Sequence, residues 1–347
     1  MLLTMTQKQH LRELRGLLSI AEMARQTGIA KSTIRDFLLR DNLPCQDAPG
    51  QTISPPPVTG VEGLVSTGGL DVPIRPLNVA LPSKVEVTSH TGDILTALLW
   101  GDTHFPNQDN AVLAIVRQIA EMLRPNFLVH MGDLLDCYEL SDFDQNPYRI
   151  DNIQSEIDLG RSHLAQMRLA SPESSFLFLE GNHEDRLRRT LWRLKGPSAA
   201  LAQLTAFKQA ITWPSLLGLN EMGVTFVPYD SKQAKKKFLP KWILKHGNIV
   251  RKYSGYTARG EMEKYGRSGS SGHSHRLGVH MRQDHNGNHC WVETGCTCSL
   301  EPEYMSDPDW QQGCVVLTFE PVTGAFQAEP IYIYNGLAVW RGCVYRA

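Results

Sequence analysis

Three apolar runs in this chain stop at a glycine that is followed at once by aspartate or asparagine. They are ILTALLW before Gly101-Asp102, NFLVHM before Gly132-Asp133, and SFLFLE before Gly181-Asn182. A short apolar run closed by a turn residue reads as a strand buried on both faces. Between the runs lie NAVLAIVRQIAEML and IQSEIDLGRSHLAQMRL, whose apolar residues recur at helical spacing. Such alternation demands a sheet with parallel strands and helices on its faces, so the expected fold class is α/β. It also fixes where chemistry can sit. Ligands bind at the carboxyl ends of strands in open α/β sheets, which puts all three loops on one edge. Towards the C-terminus the texture becomes strand-rich. GVHMRQD, HCWVETG, GCVVLTFEP and AFQAEPIYIY predict a second sheet packed against the first, with helices outside.

The loops carry an unusual donor set. Asp102 and His104 follow the first run, Asp133 and Asp136 the second, and Asn182 and His183 the third. LKHGN adds His246, and SGHSHR adds His273 and His275. One hard divalent ion would be over-supplied by so many carboxylates and imidazoles. Two ions about 3.5–4 Å apart, with one carboxylate bridging, would use them fully. Mixed nitrogen and oxygen donors suit manganese, iron or zinc better than magnesium or calcium. A hydroxide bridging two such ions is a nucleophile at neutral pH, and the ions would neutralise two oxygens of a phosphate. Blander roles stand beside these. Asp and Asn cap helices, and Glu184 and Asp185 suit the first turn of the next helix. Asp136 either holds a ligand by hydrogen bond or caps the next segment. KHGN is a weak local signal, and His280, His285 or His289 could stand in for His246.

The ordered set GDTH, GDLLD, GNHE, a lone His246 and GHSH resembles the calcineurin-like metallophosphoesterase superfamily, over about residues 95–300. The resemblance implies a four-layer α/β/β/α sandwich. It implies that Asp102, His104 and His275 bind a first metal, that Asp133 bridges, and that Asn182, His246 and His273 complete a second site. His183 is then the catalytic residue, off the metals, protonating the leaving oxygen or stabilising the transition state. The cofactors implied are two divalent ions, manganese first, with iron or zinc also suited. Cys137-Tyr138 follows Asp136 where the protein-phosphatase branch has Arg-Gly, and GDLLD looks more like the nuclease branch. Phe105-Pro106-Asn107 departs from that branch, which has a small residue or glycine soon after GDxH. The implied activity is a metal-dependent phosphodiesterase or nuclease acting on DNA or RNA. The alternative is a phosphatase or phosphodiesterase on nucleotides or other small phosphoesters. A non-enzymatic DNA-binding regulator fits less well, because every ligand position is filled.

Net charge is −1, so a nucleic-acid role must rest on local patches. DSKQAKKKFLPKWILKHG carries Lys232, Lys235, Lys236, Lys237, Lys241 and Lys245, with Phe238 and Trp242 interleaved. Lysines suit phosphates and aromatics can stack on bases, although a solvated loop would read the same. Arg186, Arg188, Arg189 and Arg193 add a basic helix face.

Three segments are expected. Residues 1–44 resemble a helix-turn-helix unit, residues 45–92 are a Pro/Gly-rich linker, and residues 93–347 are the metallophosphoesterase domain. In the first, Ser19 and Glu22 have capping-box spacing, and Ala24, Gly28 and Ile34 would pack two helices. Lys31, Ser32, Thr33 and Arg35 would face a DNA groove. Seven Lys/Arg against four Asp/Glu give this segment a charge of +3. A helical hairpin for packing or oligomerisation is the alternative. The seven cysteines are scattered and odd in number, a poor disulfide framework; Cys296-Thr297-Cys298, the one close pair, could help bind a metal, but no second cysteine pair accompanies it. No secretory signal pattern and no apolar run of about 20 residues is present. The reading is a cytoplasmic protein whose partner is nucleic acid rather than membrane, with homo-oligomer formation open. The domain pairing would suit a phage or mobile element.

Overall fold

The computed structural model describes residues 7, 10–11, 20–31, 33–34 and 94–347, save 143, 145, 150–151, 230–235, 239–241 and 304–305. Contacts divide the chain into Met1–Ser89 and His90–Ala347. In the second unit the first half carries β1 (Leu95–Trp100), α2 (Asn110–Leu123), β2 (Phe127–His130), α3 (Ile153–Ala170), β3 (Ser175–Leu179) and α4 (Asp185–Arg193). After these come the short helices α5 (Gly196–Ala202), α6 (Thr205–Ala210) and α7 (Trp213–Leu216), then β4 (Val224–Val227), β5 (Lys236–Phe238) and β6 (Trp242–Lys245). The remainder is α8 (Tyr256–Tyr265), β7 (Ser268–Ser271), β8 (Leu277–Asp284), β9 (Gly287–Thr294), β10 (Gly313–Phe319), β11 (Phe326–Tyr334), β12 (Leu337–Trp340) and β13 (Cys343–Arg346).

These strands form two sheets, ordered β13-β12-β11-β10-β1-β2-β3-β4 and β5-β6-β7-β9-β8. Strands β1 to β4 run parallel, as the alternation demands. Side chains alternate across them. Leu98, Trp100, Leu128, Phe176 and Phe178 join Val112, Ile115 and Ile119 of α2 and Leu164 and Met167 of α3 in one core cluster. Ala97, Leu99, Val129, Met131, Leu177 and Leu179 face the other way and meet Trp242, Leu244, Cys290 and Val292 of the second sheet. Ile243 and Trp291 pack on Ala258 and Met262 of α8. The layers are thus helix, sheet, sheet, helix.

One expectation is corrected. GVHMRQD and HCWVETG lie in the second sheet, but GCVVLTFEP and AFQAEPIYIY do not. β10 pairs antiparallel with β1, and β11 continues outward from it in the first sheet. Alternation of side chains says that a strand has two faces. It does not say whose edge the strand joins.

In the first unit, α1 spans Ile20–Thr27 and stops at Gly28, whose φ of +68° suits glycine. Met23 and Ile34 are buried and Lys31 is exposed. Ser32, Arg35 and the whole of the 45–92 linker lie outside the described residues. No helix among the described residues is long and apolar enough to cross a membrane.

Beneath the sheet edge, Trp100 Nε1 donates to His163 Nε2 of α3 at 3.2 Å. Burial, aided by the positive charge of Arg117, pushes the His163 imidazole down to about 4. The folded state therefore holds it neutral, whereas the unfolded chain protonates it near pH 6.5. Its contribution is complete above pH 6.5 and is lost as pH falls towards 4, on the order of 3 kcal/mol in full. His163→Gln keeps an acceptor for Trp100 and removes the titration. Urea midpoints of this variant should vary less between pH 6.5 and 4 than those of the parent protein; an identical slope would contradict the assignment.

Candidate metal centre

The loops after β1 and β2 are zipped together by backbone hydrogen bonds. Asp102 N donates to Gly132 O at 3.0 Å, Thr103 N and His104 N both donate to Asp133 O, and Phe105 N donates to Leu134 O. The loop after β3 is tied in by Glu184. Its Oε2 accepts from Asp133 N (3.0 Å) and Gly181 N (2.8 Å), and its Oε1 accepts from Leu135 N (2.9 Å). Glu184 therefore does not cap the next helix with its side chain. Asp185 is buried and takes Arg188 and Arg189. Glycine is required where the loops close. A Cβ at Gly181 would stand 2.0 Å from Asp133 Oδ1, and one at Gly272 would stand 2.5 Å from Asp102 Oδ2. Five donor residues adopt left-handed backbone: Asp102 (50°), His104 (52°), Asp133 (52°), His273 (69°) and His275 (56°).

The donors converge in overlapping groups. Asp102, His104 and His275 bring ligand atoms within 4.8 Å of one another, as do Asp133, His246 and His273, and a third group of His104, Asp133 and His183 overlaps both. His104 Nε2 faces His275 Nε2 at 3.0 Å, and His275 Nε2 lies 3.5 Å from Asp102 Oδ1. His246 Nε2 faces Asn182 Oδ1 at 3.0 Å and Asp133 Oδ2 at 3.1 Å. Its Nδ1 is used on Met131 O at 2.9 Å, which leaves Nε2 to the cluster. Asp133 Oδ2 also lies 3.8 Å from His104 Nε2, so this carboxylate reaches both groups. Facing acceptor atoms of this kind need a shared proton or a metal ion. The mixed imidazole, amide and carboxylate set fits borderline divalent metals.

Without metal, protons carry part of that load. Burial pushes the Asp102 carboxyl up to about 8, against the pull of His246. Burial opposes charge on His246, yet Asp133 outweighs it and takes the imidazole up to about 9. Burial lowers His104, and His183 adds to this. It also lowers His275, with His104 adding, and takes His273 down to about 4, with His246 adding. These three imidazoles are thus neutral and ready to ligate at neutral pH.

His183 stands at the edge of the cluster, its Nε2 4.0 Å from Asp133 Oδ2. Its Nδ1 is taken by Asp136, at 2.7 Å from the carbonyl and 3.2 Å from Oδ1. Asp136 also meets Arg149 and Asn107 and lies 3.7 Å from His104 Nδ1. Sequence reading gave it one ligand to orient. The structure puts it behind both His104 and His183.

Other expectations fare differently. Lys245 is buried and pairs with Glu261 at 2.7 Å, and Trp242 lies in the core between the sheets, so neither is a nucleic-acid contact. Lys235 lies outside the described residues, and Lys236 and Lys237 sit in β5. His280 and His289 stand opposite Trp291 and Arg282 in the β8–β9 hairpin, away from the donor groups. A further segment was marked in the sequence only by its cysteine pair, and Cys296 and Cys298 form a group with His275 whose ligand atoms lie within 4.8 Å of one another. Thr297 N donates to Gly101 O and Asp102 O, and Thr297 Oγ1 shares a hydrogen bond with Thr103 at 2.8 Å. Beside it, Cys298 Sγ lies 3.8 Å from His275 Nδ1.

A sequence profile of calcineurin-like phosphoesterases matches residues 95–277, more than half of the chain. This chain belongs to the calcineurin-like phosphoesterase family. Gene 54 protein of Mycobacterium phage D29 is 28% identical over 239 residues, covering 63% of this chain and 87% of that protein. Among solved structures, a Vps29 double mutant from Entamoeba histolytica is 11% identical with a TM-score of 0.37, covering 73% of this chain and 98% of that one. Nuclease MPE of Pseudomonas putida is 13% identical with a TM-score of 0.28, covering 67% and 87%.

The proton load of this phosphoesterase makes metal binding pH-dependent. Asp102 and His246 must each lose a proton to ligate. Calorimetry with Mn²⁺ at pH 7, in buffers of different ionisation enthalpy, should read about two protons released and an affinity that rises up to about pH 8–9. Asp133→Asn should lower both the bound metal and the proton count. Binding that is independent of pH would refute the donor set.

Proposed function

We propose that this calcineurin-like phosphoesterase is a dinuclear metal-dependent phosphodiesterase acting on nucleic acid. The observation that carries the reading is one carboxylate, Asp133, whose Oδ2 lies within reach of both His104 and His246, while the Nδ1 of neighbouring His183 is held by Asp136. Asp102, His104, Asp133 and His275 would hold one ion, and Asp133, Asn182, His246 and His273 the other. Two divalent ions there supply Lewis acidity at the phosphoryl oxygens and a water of lowered pKa.

His183 handles the leaving group. Asp136 occupies Nδ1 and so fixes the ring, which leaves Nε2 as the atom that meets substrate. Burial disfavours the imidazolium, but Asp133 and Asp136 outweigh it and hold the pKa above the ordinary value. A protonated Nε2 can then pass its proton to the departing oxygen. Arg186 Nη1 donates to Asp136 O, and its Nη2 lies 3.3 Å from the same His183 nitrogen, a contact that forms with Nε2 unprotonated; its charge works against the imidazolium and would stand beside the reacting phosphate. Lys235, Lys236 and Lys237 are kept as outer nucleic-acid contacts. The N-terminal unit, with Met23 and Ile34 buried and Lys31 exposed, is assigned as a helix-turn-helix DNA contact through Lys31, Ser32, Thr33 and Arg35.

The test is a panel of labelled single-stranded DNA, duplex DNA, RNA and a small chromogenic diester, with Mn²⁺ and with chelator. Nucleic-acid cleavage should require metal and vanish in Asp133→Ala. His183→Asn should keep its metal while turnover falls about 10²–10⁴-fold. Activity surviving Asp133→Ala would sink the reading, as would loss of metal in His183→Asn. Turnover of the small diester alone would move the function to nucleotides or other small phosphoesters.

A further inference from the structure

Helix α4 leaves the catalytic loop carrying four arginines, and buried Asp185 sorts them. Asp185 takes Arg188 at 2.6 Å and Arg189 Nε at 2.7 Å. Arg188 lies over the Trp192 ring at 4.3 Å. Arg186, Arg189 and Arg193 recur at spacings of three and four, so they share one face of the helix. That face and Leu140–Asp142 enclose a cleft of about 200 Å³ that reaches Asn182. Its inner end is therefore the donor cluster, where Asn182 faces His246 and Arg186 touches His183. Its outer end is closed by the Arg193–Asp142 ion pair.

The charge balance in the cleft is unequal. Three guanidinium groups line it and Asp142 is the acidic residue among them. The Asp142 carboxyl is held below its ordinary range by Arg193 first, with Arg189 and Arg186 adding. All three arginines thus act on one anion position. Both members of the outer pair are more than half exposed, with side chains 55% and 66% accessible. Exposed pairs contribute little and exchange readily with solution ions. From Arg186 to Arg193 the helix rises about 10 Å, which matches about three stacked nucleotides of one strand.

We propose that this cleft seats the phosphates of a nucleic-acid strand next to the scissile one, with Asp142 as the internal anion that the strand displaces. The substrate is then a polynucleotide rather than a mononucleotide. This rests on the phosphodiesterase reading and extends it from the reacting phosphate to its neighbours. Arg186 serves the reacting group, and Arg189 and Arg193 serve successive phosphates outward.

Binding and cleavage are measured separately on the full chain. Fluorescence anisotropy with labelled oligonucleotides of two, four and eight nucleotides, in chelator, reads the cleft without turnover. Arg193→Ala should weaken binding of the longer two about tenfold and lower the salt slope by about 0.7–0.9. Asp142→Asn should tighten them several-fold. With Mn²⁺, the ratio of oligonucleotide to small-diester kcat/KM should move in the same two directions. A clamp that merely holds the helix end would make both variants weaker alike, and that result, or no change in either, overturns the proposal. Anisotropy shifts of opposite sign with no diester cleavage by the parent protein would keep the cleft and reject the phosphodiesterase.

Discussion

The carboxylate of Glu184 sets the spacing on which the rest of the centre depends. It is fully buried and accepts three backbone N–H groups drawn from two loops. A buried acid without partners would be costly, and here desolvation and the nearby Asp133 both raise its pKa. The three donors make the charge tolerable and in return fix Gly181 against Asp133 and Leu135. Asn182 and His183 follow Gly181, and His183 N donates in turn to Asp133 Oδ1 at 3.0 Å, so this side chain and that bond together set their distance from Asp133.

The same region stores strain. Five donor residues hold positive φ, a conformation that costs a non-glycine residue about 1–2 kcal/mol. Backbone hydrogen bonds between the first two loops, and from His273 N to Asp102, hold them there. Asp102 and His104 both hold this backbone, and both bring their ligand atoms to one group with His275. The geometry is pre-organised by the protein, which is where a centre built for differential binding should carry its cost.

Much of this was legible. Apolar runs ending in Gly-Asp or Gly-Asn are local signals, and the parallel strands β1 to β3 convert them into neighbours without further information. His246 was readable as a candidate only, because its own surroundings say little. Its place follows from β6 lying parallel to β7 in the second sheet. Glu184 was legible only as an acid at a helix start, because nothing in the sequence announces the N–H groups of Asp133 and Leu135 about fifty positions away. The contacts of Thr297 were unreadable because its partners at Gly101 to Thr103 are nearly two hundred positions away. Lys245 and Trp242 looked like a basic, aromatic surface, and burial against Glu261 and the inter-sheet core decided otherwise.

The donor groups also lie across the join of the sandwich. Asp102, His104, Asp133 and Asn182 come from loops of the first sheet. His246, His273 and His275 follow β6 and β7 of the second. Each candidate metal site takes donors from both. An ion bound there would be a rivet through two plates that already adhere by apolar contact and by hydrogen bonds such as His246 to Met131 O and His273 N to Asp102. Sliding one sheet past the other would shear its ligand bonds, so metal occupancy and sandwich cohesion are one linked equilibrium.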